Sequence, residues 1–240
     1  WLLSYAPPSV HWHPIGPTAL DASTAPAILE RLQSGRLFIA WNRYYWNGTN
    51  DYPKYGGDNQ STGTPTSNNR QELSIAFSDD DGKTWRESAR VQPGDGCWEP
   101  AAIELNDGRV LFMMRTGLGG QYQSLSDDGG ETWSTPVPSA LKGTAAPVSL
   151  SRIPTTGDLL AIWNHNPGAS RRNPLTAAIS KDEGETWEHF RNIEETPEGG
   201  WAYPAITWVD GKGLLTYFSY TGGGLPLELK ILPAGWFYEE

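Results

Sequence analysis

Short apolar runs broken by polar turns recur along the chain. "RLFIAWN", "ELSIAFS", "RVLFMMR", "QYQSLS", "DLLAIWN", "LTAAIS" and "KGLLTYF" each last six or seven residues, the length of a strand rather than of a helix. Glycine, proline, asparagine and aspartate collect between them, where tight turns need positive φ or a fixed φ. Only "PAILERLQSG" has a spacing that a helix could use, and "RLFIAWN" follows it directly. The pattern predicts an all-β chain.

The runs also repeat in order. Each unit opens with a proline and a small or β-branched apolar run, at Pro26, Pro100, Pro147 and Pro204. It turns on a glycine, Gly35, Gly108, Gly157 or Gly211, and continues into a second apolar strand. In the first three units a third strand runs into the frame Ser-x-Asp-x-Gly-x-Thr-Trp, at Ser78–Trp85, Ser126–Trp133 and Ser180–Trp187. The three tryptophans lie 48 and 54 residues apart, a period typical of solenoids and propellers. Strand, turn, strand, loop, strand, box, strand is the plan of a four-stranded propeller blade. The expected fold is an all-β propeller of four-stranded antiparallel blades, four of them visible, forming one domain over residues 1–240.

The box invites a calcium reading, but an EF-hand-type loop needs five or six ligand positions and a closing bidentate Glu, which eight residues do not supply. A structural role fits better. The Asp accepts hydrogen bonds from its own turn, the Gly takes the positive φ, and the Trp packs between blades.

Composition narrows the function. Twelve Trp and 27 Gly in 240 residues suit many short strands joined by tight turns. The formal charge of −10 argues against a nucleic-acid partner, which needs a basic face. No apolar run reaches the ~18 residues of a membrane span, and the single Cys97 rules out an internal disulfide framework. An anionic ligand would have to be held by local arginines against the global field.

Neighbouring strands alternate in direction. The start of strand one, the end of strand two and the start of strand three therefore share one rim, and the boxes occupy the other. On the first rim the residue before the opening proline is Ala25, Glu99, Ala146 or Tyr203. Glu99 and Tyr203 depart from the alanine state, and innermost strands converge on the axis, so the two are expected to approach. Counted seven or eight residues from the turn glycine, strand two ends at Arg43, Arg115, His165 and Ser219, and strand three starts near Arg70 and Arg172. Guanidinium forks suit two-pronged grip of a carboxylate. The rim thus points to an anionic small molecule at the axis, with Trp98 and Trp201 either stacking on a sugar face or filling the rim. Plainer readings stand beside these: Glu99 as a rim carboxylate paired with arginine, Tyr203 as a pore-lining aromatic, His165 as a loop hydrogen-bonder. No His/Cys/Asp set has metal-site spacing.

These features resemble the sialidase (neuraminidase) superfamily. The boxes are like its Asp boxes, and "EPAAIELNDGRVLFMMR" is similar to the segment in which a Glu precedes an active-site Arg by one hairpin. By that likeness Glu99 polarises the nucleophile and Arg115 belongs to the arginine triad. "RRNPLTAAISKDEGETW" resembles the segment with another triad arginine, implying Arg172, with Arg171 as second choice. "WAYPAITWVDGKGLLTYF" resembles the segment carrying the nucleophilic tyrosine, Tyr203. Asp58, or else Asp51, in the long loop after strand two stands for the catalytic acid. The implied substrate is a glycan ending in sialic acid or a related acidic sugar, with no cofactor and no metal. A phenol suits this chemistry because a carboxylate nucleophile would meet the charge of the substrate's own carboxylate.

The departures are as specific. Where the family has an Arg-Ile-Pro segment in its first blade, this chain offers Thr24 or Ala25. "RIP" does occur at Arg152–Pro154, but in a hairpin heading away from the active rim. The glutamate expected after the last blade's second strand is replaced around Phe218–Ser219. The family has six blades and four units fit here, so the expectation is a chain lacking N-terminal blades. "WLLSYAPPSVHWHPIG" would be a strand of a preceding blade or the one completing the last. Two other functions remain open: a non-catalytic carbohydrate-binding propeller and a protein-binding scaffold.

Overall fold

The computed structural model describes residues 28–45, 70–89, 91, 97–220 and 224–239, without the side chains of 42–45 and 70–72. Thr24, Ala25, Asp51 and Asp58 lie outside the described residues.

Four antiparallel sheets form four propeller blades. Blade one is β1 (Ile28–Arg31), β2 (Leu37–Tyr45), β3 (Arg70–Ser78) and β4 (Arg86–Glu87). Blade two is β5 (Cys97–Glu104), β6 (Val110–Thr116), β7 (Gly120–Ser126) and β8 (Val137–Lys142). Blade three is β9 (Ser149–Arg152), β10 (Leu159–Trp163), β11 (Leu175–Ser180) and β12 (Glu188–Glu194). Blade four has, among the described residues, three strands, β13 (Trp201–Val209), β14 (Lys212–Ser219) and β15 (Leu227–Pro233), followed by a short 3-10 helix, Ala234–Tyr238. "PAILERLQSG" contributes strand β1 and its turn, not a helix.

The second strands of blades two and three are apolar on both faces because each face meets a different blade. On β6, Val110, Phe112 and Met114 join the core shared with blade one, whereas Leu111 and Met113 join the core shared with blade three. A third core, with Leu160, Ile162, Trp201, Leu215 and Phe237, fastens blade three to blade four. Continuous rather than alternating hydrophobicity follows from that double burial.

The boxes are hydrogen-bonded turns. In the first, Ser78 Oγ donates to Asp80 Oδ1 (2.8 Å) and accepts from Gly82 N (2.9 Å). Thr84 donates its N–H and its hydroxyl to Asp80 (2.8 and 2.6 Å). The same bonds recur at Ser126, Asp128, Gly130 and Thr132 and at Ser180, Asp182, Gly184 and Thr186. The hydrogen bonds from Thr84 hold the Asp80 carboxyl at about 2, below its ordinary 3.8. At Asp128 partial burial opposes the shift, and the bonds from Thr132 and Ser126 outweigh it, again to about 2. Among the described residues no group of His, Cys, Asp and Glu is arranged to hold a metal ion.

The second and third boxes also fasten their blades to the one before. Trp133 packs against Phe38 of blade one (ring centroids 5.8 Å apart) and Phe112 of its own blade (5.1 Å). Gly130 lets the turn pass close over Phe38, since a Cβ there would lie 2.9 Å from that ring. Polar ties run alongside. Arg36, from the β1–β2 turn, pairs with Asp79 (2.6 Å) and with Glu131 of the next box (2.9 Å). Arg152 of "RIP" donates to Glu183 (2.8 and 2.9 Å) and to the carbonyl of Glu104 (3.0 Å), on the box side.

Two outcomes are expected. Gly130→Ala, which meets both the Phe38 ring and a φ of +95°, should lose about 2–4 kcal/mol of stability in urea unfolding. Because the folded-state values of Asp80 and Asp128 lie below the ordinary carboxylate value, their contribution is full above pH ~4 and vanishes as the pH falls through ~2. Asp128→Asn should therefore flatten the loss of thermal stability between those limits, as followed by circular dichroism.

Candidate active site

The axial rim opposite the boxes brings together residues from three blades. Glu99 and Tyr203 occupy the same place in β5 and β13, each just before a proline and each in a β-bulge. The ladder slips between Trp98 and Ala101 in one and between Ala202 and Ala205 in the other. Both residues have positive φ, 42° for Glu99 and 56° for Tyr203. A side chain in the left-handed region costs about 1–3 kcal/mol, and the residue before a proline is normally driven to the extended region. Bulges re-aim side chains. Here two matching bulges turn a carboxylate and a phenol toward each other from blades two and four.

They meet. Tyr203 Oη donates to Glu99 Oε1 at 3.0 Å across 104 residues of sequence. Arg115, the cross-strand partner of Trp98, donates Nη1 to Glu99 Oε2 at 2.6 Å. Its guanidinium also lies 5.3 Å from the centre of the Trp98 ring, and its Nε is buried without a hydrogen-bond partner. Arg172, in the segment before β11, places its guanidinium 5.3 Å from the centre of the Tyr203 ring. Among the described residues it makes no ion pair. Its backbone carbonyl accepts the Trp201 N–H (2.8 Å), and the Asn173 side chain beside it donates to the carbonyls of Thr196 and Gly199. The Arg172 segment is thus tied to the start of the strand that carries Tyr203.

Burial raises the Tyr203 phenol above its ordinary 10.0, and the charge and hydrogen bond of Glu99 push it the same way. Arg172 and Arg115 pull against both. The resting arrangement is a neutral phenol bonded to a carboxylate, bordered by two guanidinium groups. It can pass the phenolic proton to Glu99 while the arginines receive an anion.

The remaining sequence candidates fall as follows. Arg43 pairs with Glu72 and Arg70 with Tyr45 along the β2–β3 ladder, and their side chains are outside the description. Counting eight residues from the turn glycine overshoots by one. Leu37 pairs with the box serine Ser78 as Val110 pairs with Ser126 and Leu159 with Ser180. The position of Arg115 is therefore held by Asn42 in blade one and Asn164 in blade three, not by Arg43 or His165. In blade four it is Phe218, paired with Ala202, not Ser219. His165 bonds to the Lys142 carbonyl (2.9 Å) and packs on Trp163 and Phe190. Trp201 is 3% exposed in the core between blades three and four, so it fills and does not stack on a sugar. Arg171 is exposed. Asp58 lies outside the described residues. Phe218, which the sequence marks only as near the place of the replaced family glutamate, is reached by a count of seven from Gly211.

Four blades, three of them carrying Asp boxes, with a Tyr–Glu pair and arginines on the opposite rim define a sialidase-like propeller. The chain belongs to the BNR repeat-like domain family, whose model matches residues 62–216. It is 29% identical over 166 residues to an anhydrosialidase of Macrobdella decora, covering 62% of this chain and 22% of that protein. It is 28% identical over 156 residues to a sialidase of Micromonospora viridifaciens, covering 61% and 23%. The chain therefore spans less than a quarter of the length of these relatives. The NanB sialidase of Streptococcus pneumoniae, as its K499G mutant, has the same fold: TM-score 0.62, 23% identity, with 85% of this chain and 30% of that one covered.

One titration checks the electrostatics directly. In ultraviolet difference titration against Tyr203→Phe, Glu99→Gln should lower the Tyr203 midpoint toward 10, without reaching it because burial remains. Arg172→Ala should raise the midpoint.

Proposed function

We propose that this chain carries out sialidase-type exo-glycoside hydrolysis, removing terminal sialic acid or a related acidic sugar with retention of configuration. The observation that carries this reading is the Tyr203–Glu99 hydrogen bond with Arg115 on the other carboxylate oxygen. Tyr203 Oη attacks the anomeric carbon as Glu99 accepts its proton. The neutral phenol approaches without like-charge repulsion from the substrate carboxylate. Arg172 and Arg115 grip that carboxylate, and the face of Trp98 borders the sugar. Asp58 is the proposed acid that protonates the leaving oxygen and, in reverse, activates the water that cleaves the tyrosyl intermediate. Arg43 and Arg70 are proposed to extend the cationic rim from blade one.

A second reading, a non-catalytic carbohydrate-binding propeller, is favoured by Thr24 and Ala25 where an arginine would stand in the first blade. Release of 4-methylumbelliferone from its sialoside separates the two. Wild type should turn over, Tyr203→Phe should fall to background, and Glu99→Gln should lose roughly 10²–10⁴-fold in kcat. Arg115→Ala should weaken sialic acid binding by about 10- to 100-fold. An inactive wild type whose melting temperature still rises with sialic acid, and loses that rise in Arg115→Ala, would replace hydrolysis by binding.

A further inference from the structure

One position on the axial rim carries Asn42, Arg115 and Phe218 in the ladders of blades one, two and four, and Asn164 in blade three, one residue past the last paired position, Trp163. Arg115 and Asn164 use polar atoms there: Arg115 on Glu99, and Asn164 on the carbonyls of Pro174 (3.0 Å) and Trp201 (3.2 Å). Phe218 has no such group. It is 39% exposed, and its ring lies 6.3 Å from that of Tyr203 with the planes at 85°, within the range of a favourable perpendicular aromatic pair. A lone exposed phenylalanine would need no explanation, but this one touches the proposed nucleophile at a position that blades two and three use for polar ties.

The bulge makes the contact matter. The β13–β14 ladder is paired at Ala202 and again at Ala205, so Tyr203 sits in the interrupted stretch between. Its side chain is placed by three contacts: Oη on Glu99, the Arg172 guanidinium beside the ring, and Phe218. The hydrogen bond fixes the tip of the phenol, and ring neighbours restrict rotation about the side-chain torsions. The guanidinium is an imperfect support, since on the proposed reading it also binds the substrate carboxylate.

We propose that Phe218 is a positioning residue for Tyr203, holding the phenol ring so that Oη stays on Glu99 and faces the reacting carbon while Arg172 engages the substrate. This rests on the nucleophile reading of Tyr203, and the test separates the two. With the 4-methylumbelliferyl sialoside, Phe218→Ala should lower kcat by about tenfold with KM within about twofold, and Phe218→Tyr should restore it. Independently of activity, ultraviolet titration of Phe218→Ala against Phe218→Ala/Tyr203→Phe should show the Tyr203 midpoint shifted down. That shift follows from exposing a phenol whose burial is the largest cause of its raised value, and Phe218→Leu should shift it less. An unmoved midpoint in Phe218→Ala overturns the proposal even if kcat falls, because Phe218 would then act on substrate and not on Tyr203. A kcat unaffected by Phe218→Ala in an active enzyme overturns it as well. If wild type hydrolyses no sialoside, the nucleophile reading fails, and the midpoint still decides whether Phe218 holds Tyr203.

Discussion

The angular relation between blades governs everything on the axial rim, and it is held by the second and third boxes packing against the preceding blade and by the apolar core between blades three and four. Trp133 lies on Phe38, and the Cβ that Gly184 lacks would come 2.9 Å from Leu111. These contacts leave little freedom of rotation, because a close-packed interface has few alternative arrangements. Glu99 and Tyr203 stand on blades two and four with blade three between them. Their 3.0 Å hydrogen bond is therefore a consequence of two interblade cores as well as of local backbone. The acidic boxes take part in the site through this mechanical route, from the far rim.

Within that frame the site is built by breaking a local rule twice. Positive φ before proline is unfavourable, and it occurs at both residues that face each other. Blade three shows the ordinary state. Ala146 precedes Pro147, is fully buried, and gives its carbonyl to the Gln121 side chain (2.7 Å). The contrast between blade three and its neighbours separates scaffold from site within one chain. Electrostatics follow the same division. The protein carries a formal −10, yet Arg115 and Arg172 flank the phenol while the carboxylates of the opposite rim are consumed in turns and interblade pairs.

Much of this was legible because repetition is a strong signal. Three Ser-x-Asp-x-Gly-x-Thr-Trp frames disclosed the blade, and the contrast of Glu99 and Tyr203 with the alanines at the same position disclosed the pair that meets. Counting across turns was less secure. A count of eight from the turn glycine selects Arg43, His165 and Ser219, whereas the ladders align Asn42 and Phe218 with Arg115, and Asn164 follows one residue past the last paired position of β10, Trp163. One residue of slip moves a side chain to the other face of a strand, and apolar runs buried on both faces offer no alternation by which to notice it.

Local chemistry was settled by sequence alone: strand-length apolar runs, self-bonded Asp turns and a repeated unit. These depend on contacts within a few residues, which composition and spacing encode. The paired bulges that aim Tyr203 at Glu99, the burial of Trp201 and the aromatic contact of Phe218 were decided only in three dimensions. Each arises from a bulge or an interblade core joining segments tens of residues apart, and no pattern along the chain carries the angle between two blades.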